Sequence, residues 1–186
     1  MENEIKNCVR ALKQGGLILY PTDTVWGIGC DATNFDAIEK IYKLKKRNDS
    51  KTMICLVSDF KMLQQYIEEI PEVAYDILKY AVKPTTLIYD RPKRVAENII
   101  AEDNTLAIRV VRHKFCNQLI KKFGKPIVST SANFSMQPTP NSFSEISQEL
   151  INNVDYVVSI DRKRKSKKTS TIMRLQENGI INIIRK

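Results

Sequence analysis

Residues 125–133 read Lys-Pro-Ile-Val-Ser-Thr-Ser-Ala-Asn, an apolar pair followed at once by three hydroxyl residues. This pattern predicts a strand over 127–129 that runs into a polar loop over 130–141. The side chains after the strand are short, so a ligand can approach the backbone closely, and each of them offers hydrogen bonds. A bare surface loop has no need of three hydroxyls directly after a buried strand, so this stretch indicates a binding site.

A second strand ends in a similar way. Residues 17–20 predict a short buried strand closed by Pro21, and residues 22–27 continue as T-D-T-V-W-G. In open α/β sheets, ligands collect outside the strand ends, where these hydroxyls and this carboxylate would lie. Proline, threonine and aspartate are also common turn residues, so a plain turn remains the alternative.

Helical and strand patterns alternate along the rest of the chain, which predicts an α/β fold. Apolar spacing predicts an opening helix that ends at Gly15-Gly16, followed by helices at 35–46, 59–69, 72–82, 94–100, 114–123 and 143–151. Short apolar runs predict strands at 53–57, 85–89, 106–111, 154–158, 170–174 and 180–184, and another apolar stretch covers 25–30. Some strands follow one another directly, so we expect a mixed sheet.

The length and charge narrow the class of protein. The 186 residues predict a single domain, and 30 Lys and Arg against 21 Asp and Glu give a net charge of +9. This charge favours a polyanionic partner such as nucleic acid or nucleotide, although a plain basic surface explains it equally well.

The single histidine, His113, excludes a two-histidine metalloprotease helix. It lies between Arg112 and Lys114, so we expect it on a basic surface at a helix start rather than in catalysis.

The cysteines and the apolar runs indicate the compartment. Cys8, Cys30, Cys55 and Cys116 are widely spaced and form no C-x-x-C motif, so we expect buried reduced thiols in a reducing, cytoplasmic setting. The opening segment carries acids and no apolar core, so we expect no signal peptide. No apolar run approaches 18 residues, so we expect no membrane partner.

Two basic segments have both a functional and an ordinary interpretation. Residues 43–51 carry five cations at the end of a predicted helix, where they would either clamp phosphates or simply offset the helix dipole. Six cations in seven residues, at 162–168, predict a flexible basic loop over about 161–169 that resists packing. Such a loop could still become ordered on RNA or nucleotide phosphates. P-loop and dinucleotide-binding glycine motifs are absent from the sequence.

Six segments occur in a fixed order along the chain: Y-P-T-D-T-V-W-G-I-G-C-D at 20–31, K-K-R with a following lysine at 45–51, L-A-I-R at 106–109, K-P-I-V-S-T-S-A-N at 125–133, S-T-I-M at 170–173 and I-I-R at 183–185. Together they resemble the YrdC-like family, the threonylcarbamoyl-adenylate synthases, in its single-domain form. The resemblance runs from about Gly15 to Arg185.

The resemblance implies a fold and a reaction. The fold would be one YrdC-like domain over 1–186, with a twisted mixed sheet flanked by helices and a deep basic cleft. The reaction would convert L-threonine, bicarbonate and ATP to threonylcarbamoyl-AMP and pyrophosphate, for later transfer to tRNA by partner enzymes. Mg²⁺ would enter with ATP, held mainly by phosphate oxygens and water, so no protein metal site is expected.

The resemblance also implies site residues. Lys45, Arg47 and Lys51 would be catalytic, and the last two would contact the ATP phosphates. The threonine contacts would be Thr24, Arg109, Ser129 and Ser170. Further ATP contacts would be Thr105, Ser131, Asn133, Thr139 and Arg185. Apart from the resemblance, the sequence itself singles out Arg109. An arginine inside an apolar strand costs free energy unless its guanidinium binds an anion.

The chain departs from the family pattern at several points. Residues 81–84 read A-V-K-P where the family usually has W-P-G-P, and Ser135-Met136 replace a Ser-Gly pair. The basic run also replaces the glycine-bearing approach to Ser170. Two alternatives therefore stay open: an RNA-binding module without catalysis, and a YciO-like paralogue with weak synthase activity.

Overall fold

The strand that ends in the three hydroxyl residues lies inside the sheet rather than at its edge. The computed structural model describes residues 1–46, 53–165, 169–176 and 180–186. The strands in these ranges are β1 (Ile18–Tyr20), β2 (Gly27–Gly29), β3 (Ile54–Val57), β4 (Thr85–Asp90), β5 (Thr105–Val110), β6 (Ile127–Ser131), β7 (Tyr156–Val157), β8 (Thr171–Leu175) and β9 (Ile181–Arg185). Together they form one sheet in the order β7-β1-β2-β6-β3-β5-β4-β8-β9. Both parallel and antiparallel pairs occur, which confirms the predicted mixed α/β sheet.

The helices are close to the predicted ones. They are α1 (Glu2–Lys13), α2 (Phe35–Lys45), α3 (Phe60–Tyr66), α4 (Glu72–Tyr80), α5 (Lys114–Phe123) and α6 (Gln148–Asn152). The single helix predicted over 143–151 is wrong: a 3-10 turn at Phe143–Glu145 and α6 replace it. Ile146 is extended between them, and the Ser147 hydroxyl caps α6 by accepting from the Glu149 amide. The helix predicted over 94–100 is only a 3-10 turn at Glu97–Ile99.

The register gives the sheet two different faces. Ile54 on β3 pairs with Ser129 on β6 and with Ala107 on β5, and Ala107 pairs in turn with Ile88 on β4. The neighbouring row consists of Val128, Cys55, Ile108 and Leu87, all of them buried. Because side chains alternate along a strand, the two rows point to opposite faces. Helices α3 and α5 contact β3, and the row that contains Ser129 borders a cleft.

Helix α5 illustrates how the sequence forms the covered face. Its apolar residues are spaced so that Phe115, Leu119 and Phe123 are buried on one side. The helix ends at Gly124, whose φ of +81° lies in the left-handed region that glycine adopts without strain. On its other flank, α5 contacts α1.

All four cysteines are buried and free of disulfides, as predicted. Burial raises the pKa of the Cys8 and Cys55 thiols to about 12. Among the helices of the described ranges, none has the length and apolar character needed to cross a membrane.

Candidate functional site

A cleft of about 410 Å³ opens on the face of the sheet that carries Ser129. Seven of the predicted site residues line it: Thr24, Arg109, Ser129, Ser131, Thr139, Ser170 and Arg185. They come from both strand exits singled out in the sequence and from β5 and the β8–β9 pair. The fold therefore brings together residues that lie up to 161 positions apart, from Thr24 to Arg185.

Arg109 is the most deeply placed charge of this cleft, with only 3% of its surface exposed. Its Nη2 lies 3.0 Å from Asp23 Oδ1 and 3.5 Å from Thr24 Oγ1. Its Nε is buried and has no hydrogen-bond partner among the described residues. A buried guanidinium with an unused N–H donor costs free energy unless an anion binds it. This arrangement is therefore typical of an anion-binding site.

The threonines beside Arg109 have a defined hydrogen-bond direction. Thr22 Oγ1 donates to the Val25 carbonyl at 2.7 Å, which uses its one proton. Thr24 Oγ1 lies 3.0 Å from Thr22 Oγ1, so Thr24 must be the donor of that bond. The remaining lone pairs of the Thr24 hydroxyl are therefore free to accept from Arg109 or from a bound molecule.

Ser170 and Arg185 form the opposite wall. The Ser170 hydroxyl lies 2.9 Å from Thr86 Oγ1, and Arg185 donates to both the hydroxyl and the carbonyl of Ser170, at 3.3 and 3.1 Å. Burial lowers the pKa of the Arg185 guanidinium, and the nearby positive charge of Arg109 lowers it further. The cleft thus concentrates positive charge from two strands, which agrees with the predicted deep basic cleft and attracts anions.

Three other predicted site residues lie away from the cleft lining. The Lys45 ammonium donates to the Ser131 carbonyl and joins the end of α2 to the end of β6. Thr105, at the far end of β5 from Arg109, donates to Asp103 at 2.7 Å. The Asn133 amide donates to the carbonyls of Phe134 and Gln137. All three stabilise segments next to the cleft, and their proposed roles stay predictions. Arg47 and Lys51 lie outside the described residues.

Sequence reasoning placed the Asp23 carboxylate at a strand exit where ligands collect, with a plain turn as the alternative, but gave it no role among the site residues. The sequence around Asp23 did not indicate a binding role, because aspartate after Pro and Thr is also typical of a turn. The arginine that interrupts the apolar pattern of β5 was the available signal. A buried arginine requires a nearby carboxylate or an anionic ligand.

Part of the basic run at 162–168 packs against the domain. The Arg162 guanidinium lies 4.5 Å from the Phe143 ring centroid, and its Nε donates to the Val158 carbonyl. Arg164 is half-buried and borders residues 21–26. Residues 166–168 lie outside the described part of the chain, so the predicted flexibility of the loop stays untested there.

An open mixed sheet with helices on one face, and with a buried arginine among hydroxyls on the other, defines the class: an α/β protein with an anion-binding cleft. The chain belongs to the Sua5/YciO/YrdC family, whose sequence model, described as telomere recombination, matches residues 10–186. This confirms the family resemblance.

Similar proteins carry a specific name. The threonylcarbamoyl-AMP synthase of Pseudoalteromonas translucida is 32% identical over 160 residues, which are 84% of this chain and 86% of that protein. The threonylcarbamoyl-AMP synthase of Saccharophagus degradans is 38% identical over 131 residues, 70% of this chain and 69% of that protein.

Solved structures share the fold. P. abyssi Sua5 complexed with L-threonine has a TM-score of 0.87 and 26% identity over all of this chain. This chain spans about half the length of that protein, with 54% covered. E. coli YciO also has a TM-score of 0.87, at 23% identity, and 90% of its chain is covered.

Proposed function

We propose that this protein is an L-threonylcarbamoyladenylate synthase, which converts L-threonine, bicarbonate and ATP to threonylcarbamoyl-AMP and pyrophosphate. The observation that carries the proposal is Arg109, a buried arginine on a cleft wall whose other groups are mainly hydroxyls. Such a wall suits a hydroxy amino acid, because the guanidinium binds its carboxylate and the hydroxyls bind its side chain. The names of the relatives in Pseudoalteromonas and Saccharophagus support the same activity.

The chemistry matches the residues of the cleft. Threonine and bicarbonate form a carbamate with loss of water, and a carbamate oxygen then attacks the α-phosphorus of ATP. A new P–O bond forms, and the bond to the β-phosphate oxygen breaks as pyrophosphate leaves. The nucleophile is already an anion, so the protein must mainly bring two anions together and neutralise charge. Cations and hydroxyls perform this work without a histidine base.

In this proposal the cleft has two parts. Thr24, Arg109, Ser129 and Ser170 hold threonine near the buried end. Ser131, Thr139 and Arg185 contact ATP, together with Arg47 and Lys51 on its phosphates. Thr105, Asn133 and Lys45 complete the predicted set. Mg²⁺ would enter with ATP as part of the substrate and would neutralise charge on its phosphates, so no protein metal ligands are assigned. The product then passes to tRNA-modifying enzymes, which move the threonylcarbamoyl group to adenosine.

The direct test is pyrophosphate release from purified protein with ATP, Mg²⁺, bicarbonate and threonine. We expect release that depends on threonine and that is much weaker with serine. Arg109→Ala should reduce kcat/KM for threonine by about 10³-fold, because it removes a charge-assisted contact from a buried site. Arg174→Ala is the matched control, since Arg174 pairs with Asp90 and Asp103 outside the cleft.

The alternatives give different results in the same experiment. A YciO-like paralogue would bind ATP but release little pyrophosphate. An RNA-binding module would show no thermal shift with ATP or threonine and would bind RNA with a steep salt dependence. Full activity in the Arg109→Ala protein would remove Arg109 from the site.

A further inference from the structure

A second cavity lies on the far side of Asp23 from the cleft. It has a volume of about 610 Å³ and is formed where α4 ends, β4 begins, β5 ends and α5 begins. We call it the α4–α5 cavity, and its main lining residues are Phe60, Tyr75, Leu78, Ala81, Lys83 and Arg164. The proposed synthase reaction does not use this space, although its volume falls in the range of ordinary small-molecule sites.

One wall of the cavity is apolar and flat. The Phe60 and Tyr75 rings stack with their centroids 5.0 Å apart and their planes 17° from parallel. Leu78 and Val110 extend this wall toward the sheet. Aromatic faces and aliphatic side chains of this kind bind planar apolar groups by area burial and stacking.

The remaining lining is cationic. Lys79, Lys83, Arg112 and Arg164 all border the cavity, and Asp23 is the one carboxylate among the described lining residues. Asp23 is already paired with Arg109 at 3.0 Å. The positive charges around the cavity therefore exceed the negative ones, which favours an anionic occupant.

The cations differ in how far they are committed to the protein. Arg112 donates to the carbonyls of Leu78 and Ala81, both at 2.7 Å, and so closes the end of α4. Arg164 is half-buried and lines the cavity on the same side as His113. The Lys79 ammonium lies over the Tyr80 ring, 5.2 Å from its centroid, which leaves Lys83 and Arg164 as the cations best placed to receive a ligand.

Ala81 and Lys83, in the segment between α4 and β4, both line the cavity. The small side chain at 81 leaves space beside the apolar wall, and the lysine at 83 adds charge at its rim.

We propose that the α4–α5 cavity is a second binding site, for a small amphipathic anion. Its planar apolar body packs against Phe60, Tyr75 and Leu78. Its carboxylate, sulfonate or phosphate group binds Lys83 and Arg164. The site takes no part in the synthase reaction, and the two proposals fail separately.

The test uses 8-anilinonaphthalene-1-sulfonate, a planar anionic dye whose fluorescence rises on binding. We expect one saturable site per chain, retained when ATP and threonine saturate the cleft. The neutral analogue N-phenyl-1-naphthylamine should bind about tenfold more weakly, because it lacks the sulfonate. Absence of saturable dye binding, or displacement of the dye by ATP and threonine, would overturn the proposal.

Variants locate the dye. Ala81→Trp should abolish binding by filling the cavity, and Lys83→Gly and Arg164→Gln should each weaken it about tenfold. Lys122→Gln, on the exposed end of α5, is the control and should bind as the wild type does. Thermal melts of each variant show whether it is folded. Unchanged affinity in a folded Ala81→Trp protein would place the dye elsewhere and refute the site.

Discussion

Arg109 and Asp23 show how a buried charge is maintained next to a binding site. Both side chains are almost fully enclosed, at 4% and 12% exposure, and their nearest atoms are 3.0 Å apart. In such a setting the attraction between the partners repays the cost of taking each out of water only when further hydrogen bonds satisfy both groups. Removal of one partner leaves the other charge uncompensated, which makes the pair a sensitive place to test the electrostatics of the cleft.

We expect Asp23→Asn to lower the free energy of unfolding by about 3 kcal/mol, because it leaves the Arg109 cation buried without its carboxylate. Urea denaturation measures this change. Inorganic pyrophosphate in the cleft should then restore more stability to the variant than to the wild type, since it supplies the missing negative charge. Asp76→Asn is the control, because Asp76 lies on the exposed side of α4. An equal effect of pyrophosphate on both proteins would contradict this account.

The sequence predicted individual site residues unevenly. Arg109 and the hydroxyls at 129–131 were predicted, because polar residues inside or directly after an apolar strand are unusual in themselves. Asp23 was noted as a strand-exit carboxylate but given no role, because nothing local distinguishes an ion-paired aspartate from a turn aspartate. The nucleotide contacts predicted for Thr105 and Asn133 stay predictions, and their side chains bond to neighbouring residues. Which neighbour they meet depends on loop geometry, which no local pattern encodes.

At the scale of elements, β2 is confined between two neighbours. It pairs with β1 on one side and with β6 on the other. A Cβ atom at Gly29 would lie 2.5 Å from the Val128 carbonyl oxygen and 2.8 Å from Tyr20 Cε1. Tyr20 is fully buried, so neither neighbour can move away easily. The strand therefore depends on glycine for close packing, and this packing keeps the exits of β1 and β6 side by side.

We expect Gly29→Ala to destabilise the protein by about 3 kcal/mol through overpacking, as measured by urea denaturation. Gly124→Ala is the comparison, because a Cβ at Gly124 meets nothing within 4 Å and only the positive φ is unfavourable. That variant should lose about 1 kcal/mol. Equal losses in the two variants would mean that the close approach at β2 is unimportant.

Element boundaries were predictable where periodicity was strong. Helices α2 and α5 end within a residue of their predicted limits, because an apolar stripe and a left-handed cap define them. The helix predicted over 143–151 was wrong. The apolar spacing of this segment fits one helix, but the Ser147 hydroxyl caps a separate helix, α6. A capping hydroxyl inside an apparent helix outweighs the periodic pattern around it.

At the scale of the whole molecule, the order of strands could not be predicted. β3 lies between β5 and β6, which follow it by about 50 and 70 residues. Such long-range pairings depend on which faces are complementary after collapse, and this information is spread over the entire chain. The α/β class was predictable, because it requires only the alternation of helices and strands.

The enclosed core predicts the reactivity of the four cysteines. Burial raises the pKa of Cys8 and Cys55 to about 12, so at pH 8 these thiols remain protonated and out of reach of reagents. We expect labelling by 5,5′-dithiobis(2-nitrobenzoic acid) to be slow in the native protein and to reach four thiols per chain in urea. Omission of reductant should leave the unfolding midpoint unchanged over hours. Rapid labelling of any thiol in the folded protein would contradict the enclosed core.

Asp23 borders the α4–α5 cavity, while the arginine it holds borders the cleft. One carboxylate thus lies between the two sites, and any coupling between their binding equilibria would run through Asp23. Thermodynamic linkage then requires reciprocity: the factor by which an occupant of one cavity changes affinity in the other is the same in both directions. A dye titration with and without threonine, and a threonine titration with and without dye, must therefore give the same coupling constant.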